Sequence, residues 1–156
     1  MRRLIIIFQK YYKIVFILSW ALIAGGCATT SLEKGVIEIN GQKLTVEIAQ
    51  TDVQQQKGLG GRSIMPENEG MLFLFTNDSQ PIFWMKDMEF GLDLIWIKDN
   101  QVIEITANVP PPTLASENLA LYQPAKPINK VLEVNAGWAK KHEINVGMNI
   151  NFQKQN

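Results

Sequence analysis

The chain has 156 residues, 46% of them hydrophobic and 19% charged, which is typical of one folded domain and disfavours a disordered chain. The formal net charge is zero, but four of the 15 basic residues precede Cys27 and all 15 acidic residues follow it. The part after Cys27 is therefore acidic. This disfavours a nucleic-acid partner, whose phosphates attract basic surfaces.

The first 26 residues are typical of an export signal. Basic residues come first, an apolar stretch at 14–24 follows, and two glycines lead to Cys27. The apolar stretch is shorter than the roughly 20 residues that a membrane-spanning helix needs. We therefore predict a signal peptide over residues 1–26.

Cys27 is the only cysteine, so no disulfide can form within the chain. Small residues followed by a cysteine resemble the lipobox of bacterial lipoproteins, although Ala24 stands where a leucine is usual. The resemblance implies that the cysteine sulfur of Cys27 carries a diacylglycerol, and acyl chains anchor proteins to membranes. We predict a lipidated cysteine and tether over 27–35, and a cell-envelope location on the periplasmic face of a membrane, with the outer membrane as one option. The alternative is an uncleaved signal anchor.

Two local signals open the part of the chain that follows the tether. Residues 36–48 alternate apolar and polar side chains around an Asn-Gly pair, which predicts a β-hairpin. Thr51 and Gln54 have the spacing of a capping box, which predicts a short helix that ends near Lys57.

Further short apolar or alternating runs predict strands at 71–75, 82–85, 92–97, 101–105, 131–134 and 149–152. A short helix is predicted over 136–141, and five prolines between 108 and 127 predict a long irregular loop. The fold class is thus mainly β: a compact single-domain antiparallel β-sandwich or partly closed barrel with one or two short helices. No strand–helix–strand rhythm is evident, which disfavours a parallel nucleotide-binding sheet.

Several motifs together resemble one known family. They are Gly58-Leu59 through Arg62, Gly70-Met71-Leu72-Phe73, Phe83-Trp84-Met85-Lys86, Leu92-Asp93, and Val131 through Gly137. Over residues 36–153 the chain is similar to the bacterial and archaeal domain of unknown function 192. The resemblance implies a compact β-sandwich, often behind a signal or anchor segment, and no established activity. The segment 87–93 departs from the family's usual pattern, so a ligand that contacts it could differ from that of other members.

The candidate site residues are polar or aromatic side chains beside apolar runs. We predict that Arg62, Trp84, Lys86 and Asp93 bind a ligand in one cleft, because charged side chains are rarely buried without a partner. Trp84 and Lys86 are two residues apart and should share one side of a strand. The alternative is that the charged residues form structural ion pairs, with Trp84 packed under the lysine stem.

The predicted function is a membrane-anchored envelope binding or accessory module with a small-molecule, glycan or peptide ligand. We expect no cofactor and no metal, since no zinc-ligand spacing is present. The only histidine is His142, and no serine has a nucleophile context, which disfavours an enzyme. Two alternatives remain: a carboxylate-dependent hydrolase or lyase acting on envelope glycans through Asp93 and Glu133, and a structural partner protein without a ligand.

Overall fold

The computed structural model describes residues 31–113 and 119–155, so the predicted signal peptide, Cys27 and the start of the tether lie outside the described residues. From Leu32 onward the described chain forms one compact unit. Within these ranges, no helix has both the length and the apolar character needed to cross a bilayer.

Nine strands and two short helices make up the described part of the chain. The strands are β1 (Glu33–Ile39), β2 (Gln42–Ala49), β3 (Glu69–Ser79), β4 (Phe83–Trp84), β5 (Leu92–Lys98), β6 (Gln101–Val109), β7 (Leu121–Tyr122), β8 (Ile128–Asn135) and β9 (Ile150–Lys154). The helices are α1 (Asp52–Lys57) and α2 (Trp138–Lys141). The predicted mainly β fold with short helices is confirmed.

Seven of the strands form one sheet in the order β6-β5-β8-β3-β2-β1-β9, and β4 pairs with β7 in a small second sheet. All neighbours in the large sheet are antiparallel except β2 and β3, which are parallel. Residues 50–68, which include α1, carry the chain back to the end of the sheet at which β2 begins. This return allows β3 to run parallel to β2. The sequence pattern did not predict this single strand–helix–strand unit. The sheet is not closed into a barrel, although Gln101 of β6 forms one bridge to Asn149, next to the opposite edge strand.

The first hairpin and the first helix form for the local reasons that the sequence indicates. Asn40 and Gly41 both have positive φ angles, 47° and 74°, as the tight turn between β1 and β2 requires. The Thr51 hydroxyl accepts a hydrogen bond from the Gln54 N–H, and the Gln54 side chain accepts one from the Thr51 N–H. Both predictions are confirmed.

One short strand lies in a segment for which no strand was predicted. β7 falls within the loop predicted between 108 and 127 and pairs with β4, with Phe83 opposite Tyr122 and Trp84 opposite Leu121. Two residues are too few to show an alternating pattern, so this strand has no sequence signal. The pairing holds the Trp84 segment in place.

The large sheet is covered on both faces. One face packs with α2 in a core that contains Leu72, Ile95, Leu132, Val134 and Trp138. The other face carries Met71, Phe73, Leu94, Trp96 and Val131, and is covered by loop residues that include Leu59, Met85 and Met88. Because β3, β8 and β5 are buried on both sides, they appear in the sequence as nearly continuous apolar runs. The second face, which we call the methionine face, also carries the candidate site.

Candidate functional site

A cavity of about 230 Å³ lies on the methionine face. Its wall combines α1 and the glycine-containing loop that follows, the middle of β3, the β4 segment and one residue of β8. The aromatic lining residues are Phe73, Phe75, Phe83 and Trp84, and the charged ones are Asp52, Lys57, Lys86 and Glu133. Polar and apolar groups contribute about equally to the lining. Apolar surface with placed polar groups is typical of a small-molecule site.

The aromatic wall is built by the alternation of β4. Phe83 packs edge-on against Phe73, with ring centroids 5.0 Å apart, and against Trp96 at 5.4 Å. This T-shaped geometry is favourable for aromatic pairs and anchors β4 to the core. The next residue, Trp84, is 47% exposed. Phe83 is thus partly buried against the core, and the indole of Trp84 remains available at the cavity mouth.

Lys57 and Lys86 reach the same cavity because the loop that follows Lys57 is joined to the turn that holds Lys86. The Gly61 N–H donates to the Asp87 carbonyl over 2.7 Å. A Cβ at Gly60 would lie 3.2 Å from the Lys86 carbonyl, so the loops pass each other too closely for a larger residue to fit without a shift. Within the described residues neither lysine forms an ion pair. Two unpaired cations therefore line one opening.

Glu133 is the most unusual residue in the cavity wall. It lies in the central strand β8, between Met71 of β3 and Leu94 of β5, and only 6% of its surface is exposed. Its carboxyl has no hydrogen-bond partner among the described residues, and burial raises its pKa from the usual 4.5 to about 8. A strongly perturbed acid in a cavity is a frequent mark of a functional site. Glu133 was predicted only as one acid of the alternative hydrolase pair and was not among the residues of the predicted cleft.

Asp93 lies on the opposite face of the sheet from Glu133. Leu94 pairs directly with Glu133, so the preceding residue points to the other side. The expectation that Asp93 shares a cleft with Trp84 and Lys86 is therefore wrong. The proposed hydrolase pair of Asp93 and Glu133 is also wrong, because the sheet separates the two carboxyl groups.

The carboxylate of Asp93 is fully buried and fixes the backbone of two distant segments. Its Oδ1 accepts the N–H groups of Asn108 over 2.7 Å and Gly137 over 3.0 Å, and its Oδ2 accepts that of Ala139 over 2.9 Å. Asn108 and Gly137 both have positive φ angles, 55° and 82°. Asp93 thus holds the end of β6 and the start of α2 in conformations that most residues avoid.

Arg62 is not among the residues that line the cavity. Its guanidinium forms an ion pair with the carboxylate of Glu47, and both side chains are partly exposed. The structure therefore brings together two of the four predicted residues, Trp84 and Lys86, and adds Glu133 to them. Ligand binding by Arg62 stays a prediction, and its ion pair matches the structural alternative.

The described residues offer no evident metal centre. In residues 31–113 and 119–155, no three His, Cys, Asp or Glu side chains lie close enough together to hold an ion.

The fold and the site define a small mixed-sheet β domain with one aromatic cavity and a buried acid in its wall. The chain belongs to the domain of unknown function 192 family, described as an uncharacterised ACR, whose sequence model matches residues 35–152. It is similar to a crystal structure of a candidate transcription regulator from Sinorhizobium meliloti 1021, with 30% identity and a TM-score of 0.71 over 78% of this chain and 95% of that one.

It is also similar to a protein of unknown function from Novosphingobium aromaticivorans DSM 12444, with 30% identity and a TM-score of 0.67 over 76% of this chain and 83% of that one. No curated protein matches the chain.

Proposed function

We propose that this protein is a lipid-anchored binding or accessory module of the cell envelope, and that its ligand enters the cavity beside Trp84. The observation that carries the proposal is the presence in one wall of an exposed indole, two unpaired lysines and a buried acid without a partner. Polar groups that converge on an apolar cavity fix the orientation of a ligand. The anchor rests on the sequence of residues 1–27 alone.

The comparison with the Sinorhizobium protein does not favour a nucleic-acid role here. That protein is described as a candidate transcription regulator. The present chain has 11 basic and 15 acidic residues after Cys27, a balance that disfavours binding to phosphates. A ligand of small size is a better match to a cavity of about 230 Å³.

The cavity is tested by replacing Trp84 with alanine. Trp84→Ala is expected to weaken ligand binding about tenfold, because an aromatic contact and its buried area contribute on the order of 1 kcal/mol or more. The measurement is ligand-observed NMR on the full-length chain in detergent, with soluble cell-wall fragments, simple sugars and small amines as probes. Ile64→Ala is the matched control, since Ile64 is exposed and does not line the cavity. Equal binding by wild type and both variants would contradict this site.

The anchor is tested at Cys27. Mass spectrometry of the protein purified from membranes is expected to show a new N-terminus at Cys27 with a diacylglycerol on its sulfur. Cys27→Ser should remain unprocessed and lack the lipid mass. An unmodified Cys27 in the wild-type protein would disprove the anchor without affecting the cavity.

A second candidate function is a structural partner protein. Ile82, Trp84 and Leu121 are exposed large apolar residues, and Trp84 pairs with Leu121 across the small sheet. A contiguous apolar patch is typical of a protein-binding surface. Leu121→Ser distinguishes the two functions, because Leu121 does not line the cavity. Loss of a partner in a crosslinking assay with unchanged probe binding would favour this candidate.

A further inference from the structure

We propose that the cavity binds the primary ammonium group of a small ligand that also carries a carboxylate, with the ammonium against Glu133 and the carboxylate near Lys57 and Lys86. This inference rests on the proposed function, since it requires the cavity to be a ligand site. It adds the chemical class of the ligand and the role of each charged residue.

The ammonium is inferred from the surroundings of Glu133. Its carboxyl is buried and faces a cavity lined by Phe83 and Trp84, whose ring faces attract cations. Neither Lys57 nor Lys86 lies within ion-pair distance of it, so the described chain supplies no counter-charge. A buried carboxylate is stable only when it is paired. A ligand cation would provide the partner that the protein lacks.

The carboxylate is inferred from the two lysines. A ligand with a single positive charge would be repelled by Lys57 and Lys86 as it enters, whereas a ligand with a negative group further from the ammonium would be attracted by them. Asp52, the remaining charged residue of the wall, is exposed in the first turn of α1. The single carboxylate of Asp52 offsets only one of the two lysine charges, so the opening keeps an excess of positive charge.

Binding of this kind releases a proton. The protonated carboxyl of Glu133 loses its proton to solvent and forms an ion pair with the ligand's ammonium, which keeps its own charge because amines of this type titrate near pH 10. The free protein holds that proton up to a pKa of about 8. Affinity should therefore rise about tenfold per pH unit between pH 5.5 and 7 and level off above pH 8. The other charged groups that face this cavity are Asp52, Lys57 and Lys86.

The test uses 6-aminohexanoate as the probe and the full-length chain in detergent, with dissociation constants from NMR titrations at four pH values from 5.5 to 9. Two matched probes separate the charges: 6-hydroxyhexanoate lacks the ammonium, and 6-aminohexanamide lacks the carboxylate. We expect 6-hydroxyhexanoate to bind at least tenfold more weakly at pH 8. Lys86→Ala should weaken 6-aminohexanoate several-fold and leave 6-aminohexanamide unchanged or slightly tighter.

The pH profile of the wild-type chain decides the inference without any variant. An affinity that does not change with pH, or that falls above pH 8, would overturn the inference. A fall would indicate that an uncharged ligand group accepts a hydrogen bond from the protonated carboxyl of Glu133. Glu133→Gln should abolish the pH dependence. If no amine binds while other probes bind in a Trp84-dependent manner, the ligand class is wrong and the binding function stands. If no probe binds at all, both are wrong.

Discussion

We expect the wild-type protein to lose stability between pH 5 and pH 8, and we expect Glu133→Gln to remove this loss. Burial raises the pKa of Glu133 to about 8, against 4.5 for an unperturbed glutamate. Glutamine has nearly the same shape as protonated glutamate and carries no charge at any pH. The variant should therefore keep the fold and lose the titration.

The sign of the effect follows from which state binds the proton more tightly. The unfolded chain releases the proton of Glu133 near pH 4.5, while the native chain keeps it until about pH 8. Between these values the native state binds more protons, so the free energy of unfolding falls as the pH rises, and it becomes flat above pH 8. The full effect is at most about 5 kcal/mol, because each pKa unit corresponds to about 1.4 kcal/mol.

The measurement is chemical denaturation of the full-length wild-type and variant chains in detergent at pH 5, 6.5, 8 and 9. Glu38→Gln is the matched control, since Glu38 is an exposed strand residue on β1. The control should follow the wild-type slope, and Glu133→Gln should gain stability relative to wild type as the pH rises. Parallel stability curves for all three proteins would show that Glu133 is not a buried acid. A saturating amine ligand should also reduce the wild-type loss.

Local chemistry accounts for the parts of the fold that were predicted correctly. The Asn-Gly turn at 40–41 and the capping box of Thr51 and Gln54 are each completed by residues within four positions of one another. The hairpin of β5 and β6 is likewise joined by a short polar turn. Such elements can be inferred from the sequence because every partner of the interaction is close in the chain.

Non-local pairing accounts for the parts that were missed. Asp93 and Glu133 are both single acids in apolar strands, and the sequence does not distinguish them. They face opposite sides because Leu94, and not Asp93, is the register partner of Glu133. A shift of one residue in this pairing would place both acids on the same face of the sheet. The parallel pairing of β2 with β3 is similarly set by tertiary packing.

The sequence predicted those site residues that are close together in the chain and missed those that only the tertiary structure brings to the cavity. Trp84 and Lys86 are two residues apart and both line the cavity, as predicted, although β4 ends at Trp84 and Lys86 lies in the turn that follows. Lys57 and Glu133 reach the same cavity only through the joined loops at Gly61 and Asp87 and through the central position of β8. The only sequence feature that indicates a buried acid is its apolar neighbours. Asp93 has the same kind of neighbours, so the sequence could not show that Glu133 and not Asp93 faces the cavity.

Asp93→Ala is expected to destabilise the protein severely. The substitution leaves the N–H groups of Asn108, Gly137 and Ala139 without their acceptor. The Ala139 N–H is buried, and the other two are partly buried. An unsatisfied buried donor costs about 1–3 kcal/mol, and the two partly buried donors add smaller costs. The total is a large fraction of the about 5–15 kcal/mol that stabilises a typical domain. We expect the purified variant to be unfolded or to melt at least 10 °C lower in a thermal-denaturation experiment.

Asp93→Asn separates the structural role from ligand binding. Its amide oxygen can still accept some of these hydrogen bonds, but the amide NH₂ must face one of the donors, so we expect an intermediate loss of stability. Asp78→Asn is the matched control, because Asp78 forms only an exposed ion pair with Lys98, and such pairs contribute about 0–1 kcal/mol. Since the sheet separates Asp93 from the cavity, folded Asp93→Asn should bind 6-aminohexanoate with the affinity of wild type. A selective loss of binding at unchanged stability would restore Asp93 to the ligand site.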